Sequence, residues 1–109
     1  MIVEYLATDE GFVKKIAIDS TLNNHNDMVV FYVTFIKNKI YFISDDKHVL
    51  FDINPDLKEP TEEINEILKK YRLGFSNGEI FTHASKDGLE EKESAFAKAL
   101  TEIAEINEA

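Results

Sequence analysis

The most apolar stretch of the chain, MVVFYVTFI from Met28 to Ile36, is bracketed by short polar residues: STLNNHND before it, SDDKH a few residues after. Its β-branched and aromatic content predicts a strand, and the near-absence of polar positions predicts burial on both faces. Lys37 and Asn38 then read as a tight turn into a second strand, Lys39 to Ser44, because Asn tolerates a positive φ. Upstream, Phe12 to Asp19 alternates weakly and reads as another strand. Asp45 and Asp46 form a further turn. The pattern of His48 to Ile53 leaves a fourth strand and a short helix both open.

Near Pro55 to Pro60 the β-rich half gives way to a half with helical spacing. Ile64, Ile67, Leu68 and Tyr71 fall at i, i+3, i+4 and i+7, an apolar stripe on a helix that Thr61 caps and Gly74 ends. Asn77-Gly78, between the apolar runs of RLGFSNGEIFTHA, is a strong hairpin signal. A last helix opens at Ser85 or Asp87. Leu89, Phe96, Leu100 and Ile103 face the core, and Glu90, Glu91, Glu93, Glu102, Glu105 and Glu108 point outward. Glu90 and Glu91 in its first turn suit the positive end of the helix dipole.

These elements predict a single α+β domain over residues 1–109: a mainly antiparallel sheet with two or more hairpins and two C-terminal amphipathic helices packed on it. With 109 residues, 44% hydrophobic content and eight Phe, the chain fills one core without staples. The absence of cysteine excludes disulfides, thiolate zinc sites and thiol catalysis. MIVEYLATDEGF lacks the basic and apolar regions of a signal peptide, and no apolar run approaches the ~18 residues of a membrane span. The expected location is cytoplasmic.

Twenty-one acidic against twelve basic residues give a formal net charge of −9, which opposes direct binding to nucleic acid or anionic lipid. Such a balance by itself keeps a small protein in solution. Alternatively, it marks an acidic face for a basic partner.

Candidate chemistry is confined to two polar clusters. His25, Asn26 and Asp27 precede one strand, and Asp45, Asp46 and His48 follow its hairpin partner, which brings the clusters together for topological reasons. Their residue types suit Mg²⁺ or Zn²⁺ or acid–base work. The same types are what turns select, since Asx side chains bond nearby backbone amides. His83, within EIFTHAS, reads as a strand residue. No phosphate loop, HExxH motif or nucleophile elbow is present in the sequence, so no catalytic residue, metal ligand or cofactor is assigned.

The acidic helix faces give a second candidate, a protein-contact surface made by Glu62, Glu63, Glu66, Glu90, Glu91, Glu102 and Glu105. If both helices lie on one side of the sheet, these faces form a continuous negative layer able to occupy a cleft built for phosphates.

The succession IDSTLNNHNDMVVFYV, KIYFISDDKHVLFDI, a helix, LGFSNGEIFTHAS and a final amphipathic helix resembles the domain of unknown function numbered 1828 of low-GC Gram-positive bacteria and their prophages. The resemblance runs over most of the chain. In that family a TP(F/L)xxRHND loop precedes a strand, and a (L/T)(S/T)DDG turn follows the next. Here His25-Asn26-Asp27 and Ser44-Asp45-Asp46 match, whereas Lys47 stands in place of the Gly and no Arg precedes His25. The resemblance implies a phage or mobile-element context and brings no activity with it.

The expected function is therefore non-enzymatic protein binding, with inhibition of a host nucleic-acid enzyme in the anti-restriction or anti-CRISPR manner as its concrete form. One alternative is a metal-assisted hydrolase or nuclease using Asp27, Asp45 and Asp46. Another is a homo-oligomerisation module, a dimer through the exposed edge of the hairpin.

Overall fold

The computed structural model describes residues 2–8, 11–21, 28–35, 40–47, 49 and 59–108. Six strands form one antiparallel sheet: β1 (Ile2–Thr8), β2 (Gly11–Thr21), β3 (Met28–Phe35), β4 (Ile40–Ser44), β5 (Gly74–Ser76) and β6 (Glu79–Ser85). Their spatial order is β1-β2-β3-β4-β6-β5. Two helices complete the described elements, α1 (Glu62–Lys70) and α2 (Leu89–Glu108). The fold is α+β, as the pattern predicts. The Lys37-Asn38 turn and the cluster His25, Asn26 and Asp27 lie outside the described residues. So does the segment from His48 to Ile53 except Val49, whose backbone is helical.

Alternation sets which face of the sheet is covered. Ile16 and Ile18 of β2, Val29, Phe31 and Val33 of β3, Ile43 of β4, and Ile80 and Ala84 of β6 point to the same side and are buried there. Register confirms the shared face, with Ile16 opposite Phe31, Ile18 opposite Val29 and Val33 opposite Ile43. Phe96, Leu100 and Ile103 of α2 lie against this surface with no exposed area, and the Phe31 and Phe96 rings meet at 5.0 Å.

Burial of β3 on both faces is not what the structure shows. Val30, Tyr32 and Thr34, on the face away from the helices, are only half-buried, because both helices share one side of the sheet and no described element covers the other. β3 lies inside the sheet, between β2 and β4. That position also closes the hairpin edge expected for a dimer, since β2 flanks β3 and β6 flanks β4.

Helix α1 follows from local signals. Thr61 Oγ1 accepts the Ile64 N–H at 3.3 Å, Glu62 and Glu63 occupy the first turn, and Lys69 and Lys70 the last. Gly74 does not end it. Tyr71 is the C-cap, and the left-handed residue is Arg72 (φ 57°), whose N–H reaches the Lys69 carbonyl while the Leu73 N–H reaches Leu68. That pair of bonds is the Schellman arrangement, with Arg where Gly is commonest. Ile64 and Leu68 join the core, and α1 rests chiefly against α2 rather than squarely on the sheet.

Gly74 instead belongs to β5, opposite Phe81, where an added Cβ would lie 2.8 Å from the Phe81 ring. Asn77 (φ 51°) and Gly78 (φ 85°) make the expected hairpin turn between β5 and β6. Gly88, not Ser85 or Asp87, directly precedes α2 and provides its first carbonyl to Lys92 N–H; Ser85 Oγ accepts the Gly88 N–H one turn earlier.

Candidate functional site

The Ser44-Asp45-Asp46 turn is the one polar cluster the structure describes in part. Asp45 has no exposed area, and its carboxylate accepts three backbone N–H groups: Lys47 at 3.0 Å and Ile80 at 2.9 Å on Oδ1, Val49 at 3.1 Å on Oδ2. Its own N–H donates to the Ile80 carbonyl at 3.1 Å. Burial pushes the carboxyl above its ordinary range, and the three donors pull against that shift. This carboxylate ties the end of β4 to β6 and to Val49. Such side-chain to backbone bonding is what an Asp supplies in a turn.

Asp46 and Lys47, at φ 52° and 68°, carry the chain through two left-handed residues. Asp46 is exposed, and its N–H donates to Ser44 Oγ at 2.9 Å, while Ser44 Oγ donates to Glu79 at 2.5 Å. Nearby, on the face away from the helices, His83 is exposed and its ring lies 5.2 Å from Phe42 and 6.0 Å from Phe81. His48, like His25, Asn26 and Asp27, is outside the described residues. Among those described, no three His, Asp or Glu side chains converge as a metal would require.

The acidic helix faces are sorted by the packing. Glu62, Glu63 and Glu66 of α1 and Glu90, Glu91 and Glu105 of α2 are exposed. Two of the α2 residues expected outward are engaged instead. Glu93 lies on the β2 side of α2 and pairs with Lys14 Nζ at 2.6 Å. Glu102 accepts a hydrogen bond from the Tyr71 hydroxyl and another from Lys70 Nζ at 3.1 Å, joining the end of α1 to α2. The Tyr71 hydrogen bond, helped by Lys70, holds the Glu102 carboxyl below its ordinary range despite partial desolvation, and Glu102 in turn raises both partners. The α2 side chain of Glu108 is outside the description.

Lys98 is exposed on α2 between these glutamates, so the acidic layer is interrupted rather than continuous. Sequence spacing located the helices but not these pairings. Tyr71 reads as one more apolar position of a stripe, and Lys14 sits on a strand remote in sequence from Glu93. No sequence periodicity links residues seventy-nine apart.

Beside α2 a groove of about 690 Å³ runs over Ile16, Ile18 and Phe31, with Glu90, Ser94 and Lys98 on its rim. Its floor is nearly sealed, since those three apolar side chains are at most 4% exposed.

These features define a small α+β domain with two helices on one face of an antiparallel sheet, a turn built on a buried aspartate and an acidic helical surface. Residues 20–103 match the model of the family described as Domain of unknown function DUF1828, and the chain belongs to that family. No curated protein and no solved structure matches it. No described helix is long and apolar enough to cross a membrane.

Proposed function

We propose that this domain is a non-enzymatic binding module whose helical layer engages a basic protein surface, and that its partner is a cytoplasmic enzyme that handles nucleic acid. The observation that carries the reading is the joint packing of α1 and α2 on one side of the sheet, with Glu62, Glu63, Glu66, Glu90, Glu91 and Glu105 exposed on them. A surface of this sign suits a cleft that neutralises phosphates, and the net charge of −9 supports steering toward it. In its concrete form the domain is a phage or mobile-element inhibitor that occupies the DNA site of a restriction or RNA-guided nuclease, where basic side chains read the duplex. Lys98 and the engaged Glu93 and Glu102 narrow the contacting set to the six exposed glutamates.

The reading as a metal-assisted hydrolase is weakened by Asp45, whose oxygens are taken up by backbone donors in a site without solvent. Affinity capture from host lysate tests the proposal. A nucleic-acid enzyme should be retained at low salt, lost near ~0.5 M salt as screening shortens, and lost at low salt when Glu91 and Glu105 are replaced by Lys. Retention that survives both changes would overturn it.

A further inference from the structure

At one edge of the sheet, β1 has no strand on its outer side among the described residues. It carries Ile2, Val3, Tyr5 and Leu6 at 53%, 46%, 70% and 38% exposure. Edge strands are ordinarily blunted by charge, Pro, bulges or a covering element. β1 has no Pro, and its pairing with β2 runs from Ile2 opposite Ala17 to Thr8 opposite Gly11 without a shift. Its one charged residue, Glu4, stands directly opposite Lys15 of β2.

We propose that β1 pairs antiparallel with β1 of a second copy of the chain, continuing the sheet across a two-fold axis. An antiparallel junction of this kind has its axis perpendicular to the sheet, so opposed residues keep the same face and the pairing centres on a single residue. Centring on Glu4 sets two carboxylates directly opposite each other, which is unfavourable. Centring on Tyr5, the midpoint of the strand, pairs all seven residues from Ile2 to Thr8. It places Tyr5 on Tyr5, Val3 against the partner's Ala7 and Glu4 against the partner's Leu6.

Charge also favours a like partner here. The exposed glutamates of the binding surface proposed above lie on α1 and α2, while β1, IVEYLAT, carries a single charged residue, Glu4. A basic enzyme finds one carboxylate on it against six on the helices, whereas an identical edge offers the same apolar strand in return. The exposed parts of the four apolar side chains amount to on the order of 400 Å² per copy. That falls short of the ~800 Å² a side of a standard interface, so the dimer is a weak, concentration-dependent one.

Sedimentation equilibrium of the full chain reads this directly. The weight-average mass should rise with concentration from 12.5 kDa toward twice that value, and Tyr5→Lys should hold it at the monomer value throughout. Because the chain has no cysteine, single thiols report the register. Opposed Cα atoms lie about 4.5–5.5 Å apart, within disulfide reach, so Tyr5→Cys should cross-link on oxidation and Leu6→Cys should not. A wild-type mass fixed at 12.5 kDa, self-association untouched by Tyr5→Lys, or equal cross-linking at both positions would each overturn the proposal.

Discussion

Asp45 and Ile80 are joined twice, by the Ile80 N–H donating to Asp45 Oδ1 at 2.9 Å and the Asp45 N–H donating to the Ile80 carbonyl at 3.1 Å. The side chain thus extends the β4–β6 ladder by one step beyond the last paired strand residue, Ser44 opposite Phe81. With Lys47 and Val49 also donating to it, replacing this carboxylate leaves buried donors unsatisfied. Asp45→Asn turns an amide donor toward one of them and should cost about 1–3 kcal/mol, read from urea midpoints.

The pH dependence of that loss has a definite sign. Asp45 has a folded-state pKa above its usual 3.8, so its contribution to stability is fully present below 3.8 and is lost as pH rises through the raised value. Asp45→Asn lacks this slope. The gap between wild type and variant should therefore be wider in acid than at neutral pH, as paired unfolding curves would show.

Lys47 occupies a left-handed residue at φ 68°, a conformation that favours Gly. The conformation crowds any Cβ, and the side chain is exposed. Lys47→Gly should stabilise the domain by about 0.5–1 kcal/mol after the entropy of the freer unfolded chain is set against the relieved strain. Thermal denaturation would detect it as a rise in Tm.

Gly74 gives the opposite result. The Phe81 ring covers its Cα, and a methyl placed there meets ring carbon at 2.8 Å. Gly74→Ala should destabilise by roughly 1–3 kcal/mol through the displaced ring, whereas Gly88→Ala, whose Cβ would meet only Ser85 Oγ at 3.6 Å, should do less. Denaturant midpoints of the two variants make the comparison.

Tyr71→Phe removes the hydroxyl that most depresses the Glu102 carboxyl. Its pKa should move up toward 4.5 in a carboxyl-resolved NMR titration. A depressed acid stabilises the fold above its unfolded pKa and loses that contribution as pH falls through the folded one. The variant should accordingly be less sensitive than wild type to acid below about 4.5.

Strands and helices with consistent local signals were legible in the sequence. Thr61 as cap, the Asn77-Gly78 turn and the Phe96, Leu100, Ile103 stripe each rest on neighbours within one or two turns. β1 was not, because IVEYLAT has exposed apolar residues on both faces and no alternation to mark a core side. The role of Asp45 was half legible: its residue type suggested a turn, but the Ile80 N–H that fixes it comes from thirty-five residues away. Long separation in sequence likewise hid the engagement of Glu93 and Glu102, which composition alone counts with the exposed glutamates.

The measurement that tests the acidic-surface account most directly is displacement of the captured enzyme from immobilised domain by a short DNA duplex, at constant low salt. If the six exposed glutamates occupy the site that holds phosphates, the duplex releases the enzyme with rising concentration, and an uncharged competitor does not. If domain, enzyme and duplex instead remain together as a ternary complex, the glutamate layer does not fill the nucleic-acid site and the account is contradicted.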